Sequence, residues 1–397
     1  MTIFCHIVET KGGQELETDA LTDLRPFRID VAQSEVDDLR ERLRKTRWPD
    51  ELPGAGWEYG IPLSLVRDLV TYWADGYDWR ENEARLNDFP QYTTILDGQN
   101  VHFLHVRSRE PNAIPLLLTH GWPGSVVEFM KIIGRLVDPG AHGDDPSDAF
   151  HVVAPSIPGF GFSGPTKEKG WDVKRIAAAF AQLMQRLGYD RYGAQGGDWG
   201  SAISRQLGLS APEHVIGLHL NTLATPSSGD PEDMKLLTEK EKGYIEAANR
   251  FRQQGSGYFM IQGSRPQTLS YGLTDSPAGL LAWIAEKFHE WSDQPIDRDQ
   301  MLTNISVYWF TRTANSSARL YFEFGRSGSS WGKVETSMVP TGVAVFPREI
   351  APPIRRFAER SNNIVHWSEF DRGGHFAAME RPDALVGDVR AFFRRLG

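Results

Sequence analysis

Hydrophobic positions along the chain change their pattern three times. Between Gln33 and Lys45, Val36, Leu39 and Leu43 recur at i, i+3 and i+7 with charged residues between them, which predicts an amphipathic helix. Trp48-Pro49 ends it, because a residue before proline is pushed out of the helical region. A second helix is expected from Leu63 to Tyr72, followed by scattered Trp73, Trp79, Leu86 and Phe89. Residues 1–25 are polar and aperiodic, a loose terminus. Residues 1–91 therefore read as a helical strap or meander lying on something larger, with no strand of its own.

From Tyr92 the pattern becomes that of strands. Tyr92 to Leu96 and Val101 to Val106 flank Asp97-Gly98, a hairpin turn dipeptide. Ile114 to Thr119 and Phe150 to Ala154 are continuous apolar runs, as buried strands require. A helix is expected from Val126 to Leu136. Another should open at Trp171-Asp172 and run through Leu187, where Gly188 stops it. A short strand, Tyr192 to Gln195, meets Gly196-Gly197-Asp198. A helix follows from Ser201, then a strand from Val215 to Asn221. Strand and helix in alternation predict an α/β fold with a parallel sheet and helices on both faces.

Residues 223–336 interrupt this rhythm with helical, aromatic sequence broken by Pro and Gly. Val339 to Phe346 and Ile364 to Phe370 then read as strands, and Pro382 to Leu396 as a last helix. The simplest organisation is one α/β core, residues 92–222 and 337–397, split by a helical cap at 223–336 and wrapped by the strap. The length of 397 residues alone would allow two or three domains. The resumed rhythm favours insertions into one core.

Composition narrows the class. A net charge of −9, with no Lys/Arg block, argues against nucleic acid or anionic membrane as partner. No apolar run reaches the length of a membrane helix, and the first 25 residues lack a signal-peptide pattern. A cytoplasmic protein is expected. The single cysteine, Cys5, excludes an intrachain disulfide and a Cys-rich metal site. Asn304-Ile-Ser306 and Asn315-Ser-Ser317 fit the glycosylation sequon but mean little without a secretory route. Twelve Trp suggest an apolar ligand pocket, or simply core packing.

The central chemical feature is Gly196-Gly197-Asp198-Trp199-Gly200-Ser201 between a strand and a helix. A nucleophile elbow needs small residues around a sharp, strained turn. Here the glycines of G-x-S-x-G surround a carboxylate instead of a serine. The plainer alternative is a Gly-Asp turn with Asp198 as helix N-cap. Two other segments imitate functional motifs. Gly328-Ser-Ser330-Trp-Gly332 matches G-x-S-x-G but follows no buried strand. Gly159-Phe-Gly161-Phe-Ser-Gly164 matches G-x-G-x-x-G, yet no helix opens at the glycines, as a dinucleotide site requires. It reads as a tight loop beside an active site.

His120-Gly-Trp122-Pro-Gly-Ser125 follows the strand Ile114–Thr119. In α/β-hydrolases that loop supplies one oxyanion-hole N–H and the residue after the nucleophile supplies the other, which points to the backbones of Trp122 and Trp199. Phe346-Pro-Arg-Glu349 closes a strand where an orienting acid can sit, and Gly373-Gly-His375-Phe376 precedes the last helix. The order nucleophile, acid, base then reads Asp198, Glu349, His375. Position in that order, rather than identity, singles out His375 among 11 histidines.

These four motifs in register, with Pro26-Phe27, the strap helix and Trp48-Pro49, resemble the microsomal-type epoxide hydrolases. The resemblance covers nearly the whole chain from about Arg25. It implies an α/β-hydrolase fold with inserted cap and N-terminal strap, and hydrolysis of an apolar epoxide to a vicinal diol through an ester on Asp198. It also implies two cap tyrosines facing the epoxide oxygen, at positions matching Tyr258 and Tyr321, the latter with Phe322 and Tyr308 as neighbours. No metal or organic cofactor is required. Membrane members of that family carry an N-terminal hydrophobic anchor, and none is read here. The aromatic strap offers a surface for a homodimer.

Haloalkane dehalogenases also attack sp3 carbon with an elbow Asp, but a halide leaves as an anion and needs no general acid, so the tyrosines argue against that reading. An elbow Asp likewise argues against a serine esterase. A catalytically silent ligand-binding protein on the same scaffold would not need Asp, Glu, His and two Tyr together.

Overall fold

The computed structural model describes residues 23–225, 230–328 and 335–397. Among the described residues, nine strands form one sheet. They are β1 (Arg25–Phe27), β2 (Gln91–Leu96), β3 (Gln99–Val106), β4 (Ile114–Thr119), β5 (Phe150–Pro155), β6 (Tyr192–Gly196), β7 (Val215–Leu220), β8 (Ser337–Val345) and β9 (Asn362–Glu369). Their order is β1-β2-β3-β5-β4-β6-β7-β8-β9. From β5 to β9 every pairing is parallel, whereas β1, β2, β3 and β5 pair antiparallel.

Side-chain alternation sends each strand into two cores. Leu117, Val153, Ala194 and Leu218 join Phe180 and Ile203 on one face, from helices Val173–Arg186 and Asp198–Ser210. Leu116, Leu118, Val152 and Ala154 join Ile133, Val389, Phe392 and Phe393 on the other. Burial on both faces is why these strands read as unbroken apolar runs. The chemistry-bearing loops after β4, β6 and β8 leave the carboxyl ends of parallel strands, where such sheets place their sites.

Between β7 and β8 lie helices Glu239–Arg250, Gly257–Ser264, Pro266–Asp275, Pro277–Glu290, Arg298–Thr311 and Ala314–Arg326. Arg298–Thr311 is buried at every position from Gln300 to Trp309. The N-terminal helices Gln33–Arg44, Leu63–Asp75 and Trp79–Asn87 pack on these helices. Trp73 Nε1 donates to Ser306 Oγ at 3.0 Å, and the Tyr77 and Thr303 hydroxyls meet at 2.9 Å.

Three expectations need correction. The strap does own a strand, because Arg25–Phe27 pairs with β2 at the sheet edge, a segment too short for alternation to reveal. The sheet is mixed, since the hairpin turns the chain back before the parallel part begins. The helix expected at 126–136 is a 3-10 turn, Val126–Phe129, and a short α-helix, Ile133–Val137; Glu128 and Met130 bond back three residues to Ser125 and Val127. The loose terminus, Cys5 and most of 328–332 lie outside the described residues. Among the described residues, no helix is long and apolar enough to cross a membrane.

Candidate active site

The turn from β6 into the helix Asp198–Ser210 sets the geometry. Asp198 has φ of +50°, the left-handed region that costs a non-glycine residue about 1–2 kcal/mol. Asp198 is thus not the N-cap; Gly197 is, and Asp198 begins the helix itself. The turn lies so close to β4 that a Cβ on Gly200 would meet the Thr119 carbonyl oxygen at 1.8 Å. Only a glycine fits there, which is the physical content of the motif.

The loop after β4 lies against this elbow. Trp122 N donates to Asp198 Oδ1 at 2.8 Å. Trp199 follows Asp198 in the first helical turn, where N–H groups point back toward the helix start. The cap grips the loop from above. Asn304 Nδ2 donates to Pro123 O at 2.7 Å, Ser125 Oγ donates to Asn304 Oδ1 at 2.7 Å, and the Tyr308 hydroxyl donates to Gly124 O at 2.7 Å. His120 is buried beneath. Its Nε2 accepts from Ile157 N, and burial lowers its pKa to about 4, so it is neutral.

Glu349 and His375 meet through the loops that follow β8 and β9. Arg348 pairs with Gly374 as an isolated parallel bridge, and His375 N donates to Trp291 O at 2.9 Å. His375 Nδ1 lies 2.8 Å from Glu349 Oε1. Glu349 Oε1 also accepts from Ile350 N at 2.8 Å, and its Oε2 accepts from Thr222 Oγ1 at 2.7 Å. His375 Nε2 then stands 3.6 Å from Asp198 Oδ2. Burial disfavours the charged imidazole, but Glu349 and Asp198 together outweigh it and hold His375 well above its ordinary pKa.

Two cap tyrosines close the site. Tyr258 stacks on Trp122 with ring centres 4.9 Å apart and planes within 9°. Tyr321 meets Trp199 edge-on at 4.8 Å, and the two tyrosine rings are 5.9 Å apart. Burial, reinforced by Asp198 for both and by Tyr258 for Tyr321, raises both hydroxyls well above 10. They remain protonated donors. Phe322 packs instead under Arg326, and Tyr308 is committed to the loop.

The structure thus brings Asp198, His375, Glu349, Tyr258, Tyr321, Trp122 and Trp199 into one site. Within the loop 159–164, Gly161–Ser163 forms a 3-10 turn, the loop is bonded to Thr313 and Ser316, and no α-helix opens between it and Val173. Among the described residues, no acidic, His or Cys cluster suits a metal ion. Sequence reasoning missed Asn304, Tyr308, Thr222 and Glu128. Glu128 sits behind the oxyanion loop, and burial, with the Asp198 charge adding and His375 opposing, pushes its carboxyl up to about 8. The one available signal was its place three residues past the His120–Ser125 motif.

A family profile described as the N terminus of epoxide hydrolases matches residues 24–129, and one described as the alpha/beta hydrolase fold matches 114–259. The chain is 49% identical to a Stigmatella aurantiaca protein with a provisional epoxide hydrolase name, covering 94% of this chain and 85% of that protein. It is 36% identical to epoxide hydrolase 1 of Sus scrofa, covering 93% and 88%. The solved structure of Aspergillus niger epoxide hydrolase superposes with a TM-score of 0.86 at 33% identity, covering 94% of this chain and 96% of that one.

Proposed function

The chain belongs to the epoxide hydrolase family, and from that premise we propose that Asp198, Tyr258, Tyr321, Glu349 and His375 carry its reaction, with the backbones of Trp122 and Trp199 as oxyanion donors. The enzyme adds water to an epoxide to give a vicinal diol. The observation that carries the assignment is one line of contacts, Glu349 to His375 at 2.8 Å and His375 to Asp198 at 3.6 Å, with Tyr258 and Tyr321 packed on the two oxyanion-donor tryptophans, Trp122 and Trp199.

In the first step Asp198 Oδ2 attacks an epoxide carbon from behind. The carbon–oxygen bond of the ring breaks, and the alkoxide takes a proton from Tyr258 or Tyr321. Asp198 Oδ1, held by Trp122 N, becomes the ester carbonyl oxygen. In the second step water attacks that carbonyl carbon, and its proton passes to His375 Nε2. The oxyanion is held by the two backbone N–H groups. Collapse breaks the bond between the carbonyl carbon and the alkyl oxygen. His375 returns its proton to the departing alkoxide, and the acid proton left on Asp198 restores the tyrosine. Every atom balances with these side chains and one water.

Trp122, Tyr258, Trp291, Phe251 and Phe259 surround the reacting groups with aromatic faces, which supports an apolar epoxide as substrate. A homodimer through the strap, where Leu52 and Tyr59 expose apolar surface, and a cytoplasmic location belong to the same reading.

Single-turnover hydrolysis of styrene oxide in 18O-water tests the mechanism. Solvent oxygen is expected in Asp198, with the first diol unlabelled. A labelled first-turnover diol overturns the ester mechanism. Asp198→Ala should abolish diol formation with the fold intact.

A further inference from the structure

Behind Asp198 and His375 lies a cavity of about 10 Å³, lined among others by Glu128, Gln195, Asn221, Asp198 and His375. That volume holds about one water molecule, which needs two to four polar partners. The partners are there. Gln195 is buried; its Nε2 donates to Asn221 Oδ1 at 2.8 Å, while its Oε1 has no hydrogen-bond partner within the protein. The Glu128 carboxyl occupies the space a side chain at Gly124 would fill, since a Cβ there would lie 1.4 Å from Oε1. The glycine next to Pro123 therefore makes room for this carboxyl, and the fold places a half-buried acid where the ester mechanism assigns no role to one.

We propose that this cavity seats the hydrolytic water, and that Glu128 is the positioning residue that holds it against the Asp198 ester for His375 to deprotonate. The inference rests on the ester reading above. It adds to that reading a third carboxyl, which forms no bond to substrate. Burial and the Asp198 charge favour its neutral acid, with His375 opposing. The water donates one hydrogen to a Glu128 carboxyl oxygen and the other to His375, and its lone pair faces the ester carbon.

Glu128→Gln keeps the shape and removes the acid. Gly124→Ala keeps every polar group and pushes the Glu128 carboxyl aside. Rapid-quench and intact-mass measurements with styrene oxide separate ring opening from ester hydrolysis. In both variants hydrolysis should slow about tenfold to a hundredfold, the factor for losing a hydrogen bond to a charged or reacting group, and the alkyl-enzyme should accumulate. Ring opening should fall far less. Hydrolysis within twofold of the unaltered enzyme in both variants, or equal losses in the two steps, overturns the proposal. If Glu128→Gln folds poorly, Gly124→Ala carries the same reading alone. If no alkyl-enzyme forms even in His375→Gln, the ester reading itself fails and this proposal falls with it. An alkyl-enzyme that forms and hydrolyses normally without Glu128 sinks this proposal alone.

Discussion

His375 stands between two carboxylates at unequal distances, 2.8 Å from Glu349 on Nδ1 and 3.6 Å from Asp198 on Nε2. The close contact fixes the ring, and the looser one leaves room for a proton to move. Glu349 is also the largest influence raising the His375 pKa. Glu349→Gln should therefore lower that pKa and slow ester hydrolysis roughly a hundredfold to ten-thousandfold. A base acts only when neutral, so hydrolysis of the alkyl-enzyme rises with pH through the His375 pKa. In the variant that rise should move to more acidic pH. A limb that stays where it was would remove Glu349 from this role.

The tyrosine rings lie 5.9 Å apart, near enough for both hydroxyls to face one oxygen. Two donors share a developing charge, so each single loss is partly covered by the other. Tyr258→Phe and Tyr321→Phe should each slow ring opening about tenfold to a thousandfold, and the double variant should nearly abolish it. Hydrolysis of ester formed from a reactive epoxide should change little. The check is single-turnover quench with both phases resolved. Loss in the hydrolytic phase alone would move the tyrosines out of the acid role.

Asn304 ties the cap to the oxyanion loop through Pro123 O and Ser125 Oγ, both at 2.7 Å. Asn304→Ala leaves buried polar groups unmatched and should cost about 1–3 kcal/mol of stability. It should also loosen the Trp122 N–H and slow both chemical steps about tenfold or more. Thermal melting and single-turnover rates measured together decide the matter. A lower melting temperature with unchanged rates would make Asn304 a structural tie only.

Asn304 also marks how far the sequence carries. As Asn304-Ile-Ser306 it reads as a surface sequon, but its helix is buried on every side and the side chain is spent on the loop. Polar residues in such a helix break the amphipathic pattern, so no single-sequence period reveals their direction. Ile114–Thr119 was legible to the residue, because a strand buried on two faces must be apolar throughout. Arg25–Phe27 was not, since three residues at a sheet edge carry no alternation. Asp198 and His375 stood out by motif and chain order. Glu128 did not, because what distinguishes it is its place in the cavity beside Asp198 and His375, a property of the folded chain.

That position has a measurable consequence at equilibrium. The Glu128 carboxyl rises from an ordinary 4.5 to about 8 on folding, chiefly through desolvation. A group whose folded pKa is raised contributes stability that is fully present below its unfolded pKa and lost as pH rises through its folded pKa. Between pH 4.5 and about 8, Glu128 therefore weakens the fold progressively. Glu128→Gln removes the titration while keeping the shape. The variant should gain melting temperature relative to the unaltered enzyme as pH rises, by several degrees more at pH 8 than at pH 5. Other ionisable groups are common to both proteins and cancel in the difference. A difference that is flat across this range would mean that Glu128 is ionised in the free enzyme at neutral pH.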